Sequence, residues 1–164
     1  MNDIKKVQAE YQDFFKQLKS VIISTANEQG VPNASYAPFV SDEHKNIYIY
    51  ISALSIHTQN LFVNPHVSVM LIEDENKTEQ IFARRRLIFD CIATPVERET
   101  NAWQEIVFQF QARFGEIIDI LRNLTDFHVF QLTPQKGRFI TGFGAAYSLS
   151  GENLNQLQHL TANS

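Results

Sequence analysis

Residues 126–144 read DFHVFQLTPQKGRFITGFG, and the reading of this stretch decides the fold. DFHVFQLTP is rich in β-branched and aromatic side chains and reads as a strand. PQKG carries the proline and glycine of a turn, and RFITGFG reads as a final strand. The same grammar recurs upstream. SVIISTA is a β-branched run, NEQGVPN a Gly/Pro turn, ASYAPFV a resumed strand and SDEHKN a polar turn. NIYIYIS alternates strongly, and HVSVMLIED is another strand, closed by the acidic turn EDENKTE. IFARRRLIFDCIATPVERE is a long strand pair or one bent strand, with Pro95 marking an edge or a bulge. Together these segments read as an antiparallel meander.

Helical periods interrupt it in three places. Ile4, Val7, Tyr11, Phe14, Phe15 and Leu18 make one apolar face over residues 2–19. Leu54, His57 and Leu61 fall at helical spacing in SALSIHTQNLFVNP, and Asn64-Pro65 ends that element. Trp103, Ile106, Val107, Phe110, Phe114, Ile117, Ile118 and Leu121 form a longer stripe, which Gly115 divides. The organisation is one domain: an N-terminal helix over 1–19, a barrel with inserted helices over 20–149, and a C-terminal tail over 150–164. The fold class is mainly β, a closed or half-open antiparallel barrel with flanking helices.

Composition sets outer limits. A chain of 164 residues, 44% hydrophobic, buries a real core. The formal net charge of -4 lacks the basic footprint of a nucleic-acid binder, and no run approaches the roughly 20 apolar residues of a membrane span. The N-terminus MNDIKKVQAEYQDFF lacks the apolar centre of a signal peptide. The reading is a soluble, cytoplasmic protein without membrane insertion or a nucleic-acid partner. Its single cysteine, Cys91, sits in an apolar run as a buried, inert thiol, so no intrachain disulfide or Cys-rich zinc site forms.

Four groups of residues can carry chemistry. Among five histidines, no HxH or HExxH pair occurs. His57 stands apart because it opens a short helix just after a strand, behind Ser52 and Ser55, where ligands meet backbone N–H groups. Arg84, Arg85 and Arg86 follow one another; on a strand Arg84 and Arg86 share a face, a pair suited to carboxylate or phosphate. Asp126 either caps a turn or orients a nearby imidazole. Phe143 and Gly144, in GFGAAY, put small residues beside rings, so a flat ligand can approach the backbone. No Ser-His-Asp or Cys-His arrangement supports a hydrolase.

Several stretches resemble the haem-utilisation proteins of the HugZ/HutZ type, relatives of pyridoxamine 5'-phosphate oxidase with an FMN-binding split barrel. They are VPNASYAPFV, NLFVNPHVSVMLIEDE, FARRRLIFD, QARFGEIIDIL, TDFHVFQLTPQKGRFITGFGAAYSLSGENL and the terminal QHL, which span nearly the whole chain after residue 20. The resemblance implies an antiparallel split β-barrel (PNP oxidase-like), dimeric, with the ligand site at the interface of a homodimer. It implies haem binding in iron acquisition, with oxygenase-like opening of the porphyrin and release of iron. In such proteins a C-terminal histidine ligates the iron, an Asp matching Asp126 supports it across the interface, and an Arg matching Arg86 lines the haem site. His57 belongs to that pocket's surroundings.

Two departures leave alternatives open. Related tails read roughly HLEEGHR and use the second histidine, whereas this one reads HLTANS, so His159 matches the first histidine and Ser164 stands where the ligand falls. Either His159 substitutes, or haem binds weakly, or haem is carried without being degraded. Flavin-binding relatives hold the FMN phosphate with cations where Ile56 and Gln59 stand here, leaving Ser52, Ser55, His57 and Thr58 as neutral partners. An FMN-dependent oxidoreductase is therefore the alternative reading.

Overall fold

In the computed structural model, which describes residues 2–161, one strand does most of the joining. The chain runs α1 (Asn2–Gln17), β1 (Ser20–Ala26), β2 (Pro32–Ser41), β3 (Ile47–Ser52), α2 (Ile56–Val63), β4 (His66–Ile72) and β5 (Arg86–Val96). It continues with α3 (Asn101–Phe114), α4 (Ile117–Leu121), β6 (Phe127–Gly142), β7 (Ala145–Ser150) and β8 (Gln156–His159). All pairings are antiparallel. The strand order β3-β2-β1-β4-β5-β6 closes on itself because β6 also pairs with β3, giving a six-stranded barrel. The far half of β6 stays paired with β5 as far as Ile140 and pairs along its other edge with β7, and β8 adds to β7.

The turn expected at PQKG is absent, and RFITGFG is not the last strand. Pro134 has no N–H to give the ladder, so β6 bulges there instead of reversing. Asp90 faces Lys136 while Cys91 faces Pro134, which leaves Gln135 as the extra residue. The bulge also inverts the pleat. Before it Phe130 and Leu132 point into the core; after it Gly137 and Phe139 do. Gly137 serves close packing: a Cβ there would lie 2.7 Å from Cδ1 of Phe89.

Helices stop both ends of the barrel. At one end α1 inserts Val7, Tyr11, Phe14 and Phe15, with Tyr11 5.8 Å from the ring of Phe139 and Phe15 5.9 Å from that of Phe89. At the other, α2 adds Leu61 to the core, and its Asn60 Nδ2 donates to Thr25 Oγ1 at 3.0 Å. A separate cluster covers the outside of β3 and β6, where Trp103, Ile106, Val107, Phe110 and Ile118 of α3 and α4 meet Val40, Tyr50 and Val129. Thr100 caps α3 by accepting from Trp103 N, and Gly115 ends it at φ +80°, a left-handed conformation suited to glycine. Cys91 is buried as expected, and burial pushes its thiol up to about 12.

The tail is built into the sheet. Lys45 Nζ donates to the Asn153 carbonyl at 2.5 Å and to Asn155 Oδ1 at 2.9 Å, and Gln8 Nε2 donates to the Asn155 carbonyl. These bonds tie the segment before β8 to the β2–β3 turn and to α1. Among the described residues no helix is long and apolar enough to cross a membrane.

Candidate functional site

The candidate residues form two groups. The first surrounds the β3–α2 corner. Ser52 Oγ donates to Asp126 Oδ2 at 2.7 Å, and the Asp126 carbonyl accepts from Ala53 N at 2.7 Å, so Asp126 clamps the end of β3 to the start of β6. Ser55 begins α2 without a side-chain cap bond. His57 is buried, its Nδ1 2.7 Å from Ser35 Oγ, and its Nε2 has no partner. Burial lowers its pKa, so the ring is neutral near pH 7. Thr58, also buried, leaves its hydroxyl unpartnered. A phosphate dianion fits poorly here: among the described residues the hydrogen bonds of this corner come from serine, histidine and aspartate and not from lysine or arginine, the histidine is held neutral, and a carboxylate occupies the Ser52 hydroxyl.

The second group lies where β5 to β8 meet. Only Arg86 of the arginine run is on a strand; Arg84 and Arg85 precede it, after a 3-10 turn over Ile81–Ala83, so the expected shared strand face of Arg84 and Arg86 does not form. Arg84 Nε donates to the Glu73 carbonyl at 2.6 Å and its Nη1 reaches Glu75 Oε1 at 3.3 Å. Arg85 Nε donates to the buried Glu73 Oε1 at 2.9 Å, and its guanidinium lies 5.5 Å from the Phe14 ring. Burial alone would raise the Glu73 pKa; hydrogen bonds and charge from Arg85, with help from Thr78, hold it below the usual range. Arg86 is left with one bond, to the Arg84 carbonyl, and has no carboxylate partner among the described residues.

Phe143 and Gly144 form the β6–β7 hairpin tip, with Gly144 at φ +63° and Phe143 exposed. Phe143 borders a cleft of about 470 Å³ shared with Glu10, Glu73, Lys77, Gln80 and Arg85. His159 Nε2 lies 2.7 Å from the Gly144 carbonyl, and its ring meets Tyr147 edge-on at 5.2 Å. A carbonyl only accepts, so Nε2 carries the proton and Nδ1 keeps its lone pair.

Within one chain the two groups are far apart. Asp126 adjoins the start of β6, whereas His159 is level with Tyr147 and Phe139, twelve residues along that strand, or roughly 40 Å of strand length. Ser164 lies outside the described residues. Alternation further separates Arg86 from His159. Arg86 points outward, opposite to buried Leu87, while His159 shares the face of Phe139 and Tyr147.

The outward side of β2, β1, β4 and β5 carries a feature that the sequence reading missed. Tyr36 faces Ile22, Ile22 faces Met70 and Met70 faces Ile88, an apolar row across four strands. Tyr36 is 67% exposed and Ile22 38%, so this row is uncovered. Ile88 in turn faces Arg138 on β6. Its residues alternate with core positions, but only the register reveals that they line up. Ser35 and Glu73 were missed for a similar reason, since their partners lie 22 and 12 residues away.

Comparison with known proteins agrees with this architecture. Residues 7–141 match the pyridoxamine 5'-phosphate oxidase family profile. The chain is 44% identical over 155 residues to the heme oxygenase HutZ of Vibrio cholerae, covering 94% of this chain and 88% of that protein. The crystal structure of Vibrio cholerae HutZ, described there as a heme storage protein, superposes with a TM-score of 0.78 at 43% identity, over 82% of this chain and 96% of that one. Campylobacter jejuni ChuZ superposes with a TM-score of 0.85 at 38% identity, over 97% of this chain and 64% of that one. The closed barrel, its helical stoppers and these likenesses lead to one conclusion: the chain belongs to the pyridoxamine 5'-phosphate oxidase family, in the branch that holds HutZ and ChuZ.

Proposed function

We propose that this protein binds haem for iron acquisition, as a homodimer that holds the ligand against the outer barrel face. The 44% identity to a heme oxygenase over nearly the whole chain supports the ligand class. The observation that carries the reading is the uncovered row Tyr36–Ile22–Met70–Ile88 beside Arg86, a guanidinium without a carboxylate partner. Haem is a flat apolar ring with two carboxylates, and it asks for those two surfaces side by side.

In this reading the apolar row excludes water from the ring and Arg86 orients it through a propionate. Within one chain His159 and Arg86 lie on opposite faces, so the histidine that supplies a nitrogen to this iron, through its bare Nδ1, is His159 of the partner subunit, with the Gly144 carbonyl fixing the tautomer. Asp126 has an unused carboxylate oxygen beyond its bond to Ser52. Its distance from His159 in one chain makes any support of the ligating histidine a contact across the subunit interface. When haem is degraded it is the substrate, and its own iron supplies the redox chemistry that opens the ring.

Titration of the purified protein with haemin, scanned beforehand for flavin, tests this. We expect a saturable haem spectrum at one per subunit that changes in His159→Ala. A protein that gives no haem spectrum, or that is purified with flavin, overturns the reading. Turnover with ascorbate and O2 then separates degradation from carriage.

A further inference from the structure

The outer face carries a second guanidinium. Arg138 is exposed, directly opposite Ile88, and its guanidinium makes no hydrogen bond or ion pair among the described residues. Arg86 faces Ile140, two residues along β6 from Arg138. In an antiparallel pair such residues are diagonal neighbours on one face, roughly 7–8 Å apart between backbones and within reach of long side chains. The nearby carboxylate of Asp90 pairs with Lys136, Oδ2 to Nζ at 3.6 Å, and makes no ion pair with either arginine among the described residues. Two guanidiniums without a carboxylate partner among the described residues therefore flank one end of an apolar row.

The bulge at Gln135 is what puts Arg138 there. Continued without it, the alternation of Phe130 and Leu132 would send residue 138 into the barrel; the inverted pleat sends it out. A buried, unpaired guanidinium would be strongly disfavoured, so the bulge and the arginine suit one another.

We propose that Arg86 and Arg138 form a two-guanidinium clamp for the paired carboxylates of a flat apolar ligand, with Arg138 as a binding residue in its own right. This rests on the haem reading for the identity of the ring, the carboxylates being its propionates. Guanidinium groups match carboxylates bidentately, and two of them discriminate a dicarboxylate from its neutral ester.

Metal-free protoporphyrin IX and its dimethyl ester separate the clamp from iron ligation, since both lack the metal that His159 would hold. Fluorescence titration of the full chain should show wild-type protein preferring the free acid by about tenfold or more. Arg138→Gln should lose most of that preference, as should Arg86→Gln, and Arg138→Lys should restore part of it. The thermal transition of Arg138→Gln should match that of the wild type, which shows that the variant is folded. Equal binding of acid and ester by the wild type, or a full acid preference in Arg138→Gln, overturns the clamp. A clamp that persists while haemin gives no His159-dependent spectrum instead removes the iron-ligand reading alone.

Discussion

Glu73 and Arg85 show how far a single residue's role depends on its partner. The Glu73 carboxylate is buried and survives there because Arg85 donates to it at 2.9 Å. Removing Arg85 leaves a buried charge uncompensated, which costs about 3–5 kcal/mol in such sites. Arg85→Met should lower stability in urea by an amount near the lower end of that range, since Arg85 itself is partly exposed. The sign with pH follows from the depressed Glu73 pKa: the pair stabilises the fold above the unfolded carboxyl pKa, about 4.3, and that contribution is lost as pH falls through the folded value. Urea curves at pH 7 and pH 3.5 should therefore separate the variant from the wild type at the first and bring them closer at the second. The local string IEDE…FARRRL shows complementary charge in sequence, but which arginine meets which carboxylate depends on a turn that periodicity does not describe.

At the scale of elements, the two barrel stoppers differ in chemistry. The α1 end is closed by aromatic packing, while the α2 end is closed partly by hydrogen bonds from His57 and Asn60. A neutral buried histidine makes α2 sensitive to acid. Its folded pKa lies below the unfolded value near 6.5, so the stabilisation is complete above pH 6.5 and fades as pH falls through the folded pKa. Amide exchange in α2 should accelerate relative to the other helices on acidification from pH 7.5 to pH 5, and His57→Asn should flatten that dependence. The helix itself was legible in the spacing of His57 and Leu61, although Leu54 lies ahead of it and is exposed; α1, the break at Gly115 and most strands were legible too. What misled was the phase change at residues 134–137. An alternation that slips by one looks like the end of a strand, and a Pro followed by a Gly reinforces the impression. Only the partner strand β5 shows that β6 continues. The same slip hid Arg138, whose outward aim follows from the bulge and not from its neighbours in sequence.

For the whole molecule, closure of the barrel leaves one broad face without a helix over it. The row Tyr36–Ile22–Met70–Ile88 crosses four strands at its middle, and a second copy laid against it would cover both rows at once. A charge placed there would be desolvated in the pair and hydrated in the monomer. Ile22→Asp should therefore shift sedimentation from dimer to monomer and abolish the haem spectrum, while the thermal transition persists. A wild type that sediments as a monomer at micromolar concentration removes the homodimer from the reading. The resemblance in sequence pointed to this partnership; composition alone did not, because the apolar residues of the row are scattered over nearly 70 positions in four separate strands.

The place of β6 in the barrel also bears on how the chain comes to be made. It is the strand that joins β3 to β5, yet it starts only at Phe127. During synthesis every earlier strand emerges first, so β3 and β5 wait as two open edges until residues 127–142 have been made. Open edges invite pairing with other chains. Elongating polypeptides in this interval are thus the form most exposed to entanglement on a polysome, and a pause in translation just before codon 127 would be far more hazardous than one placed after the codon for Gly142.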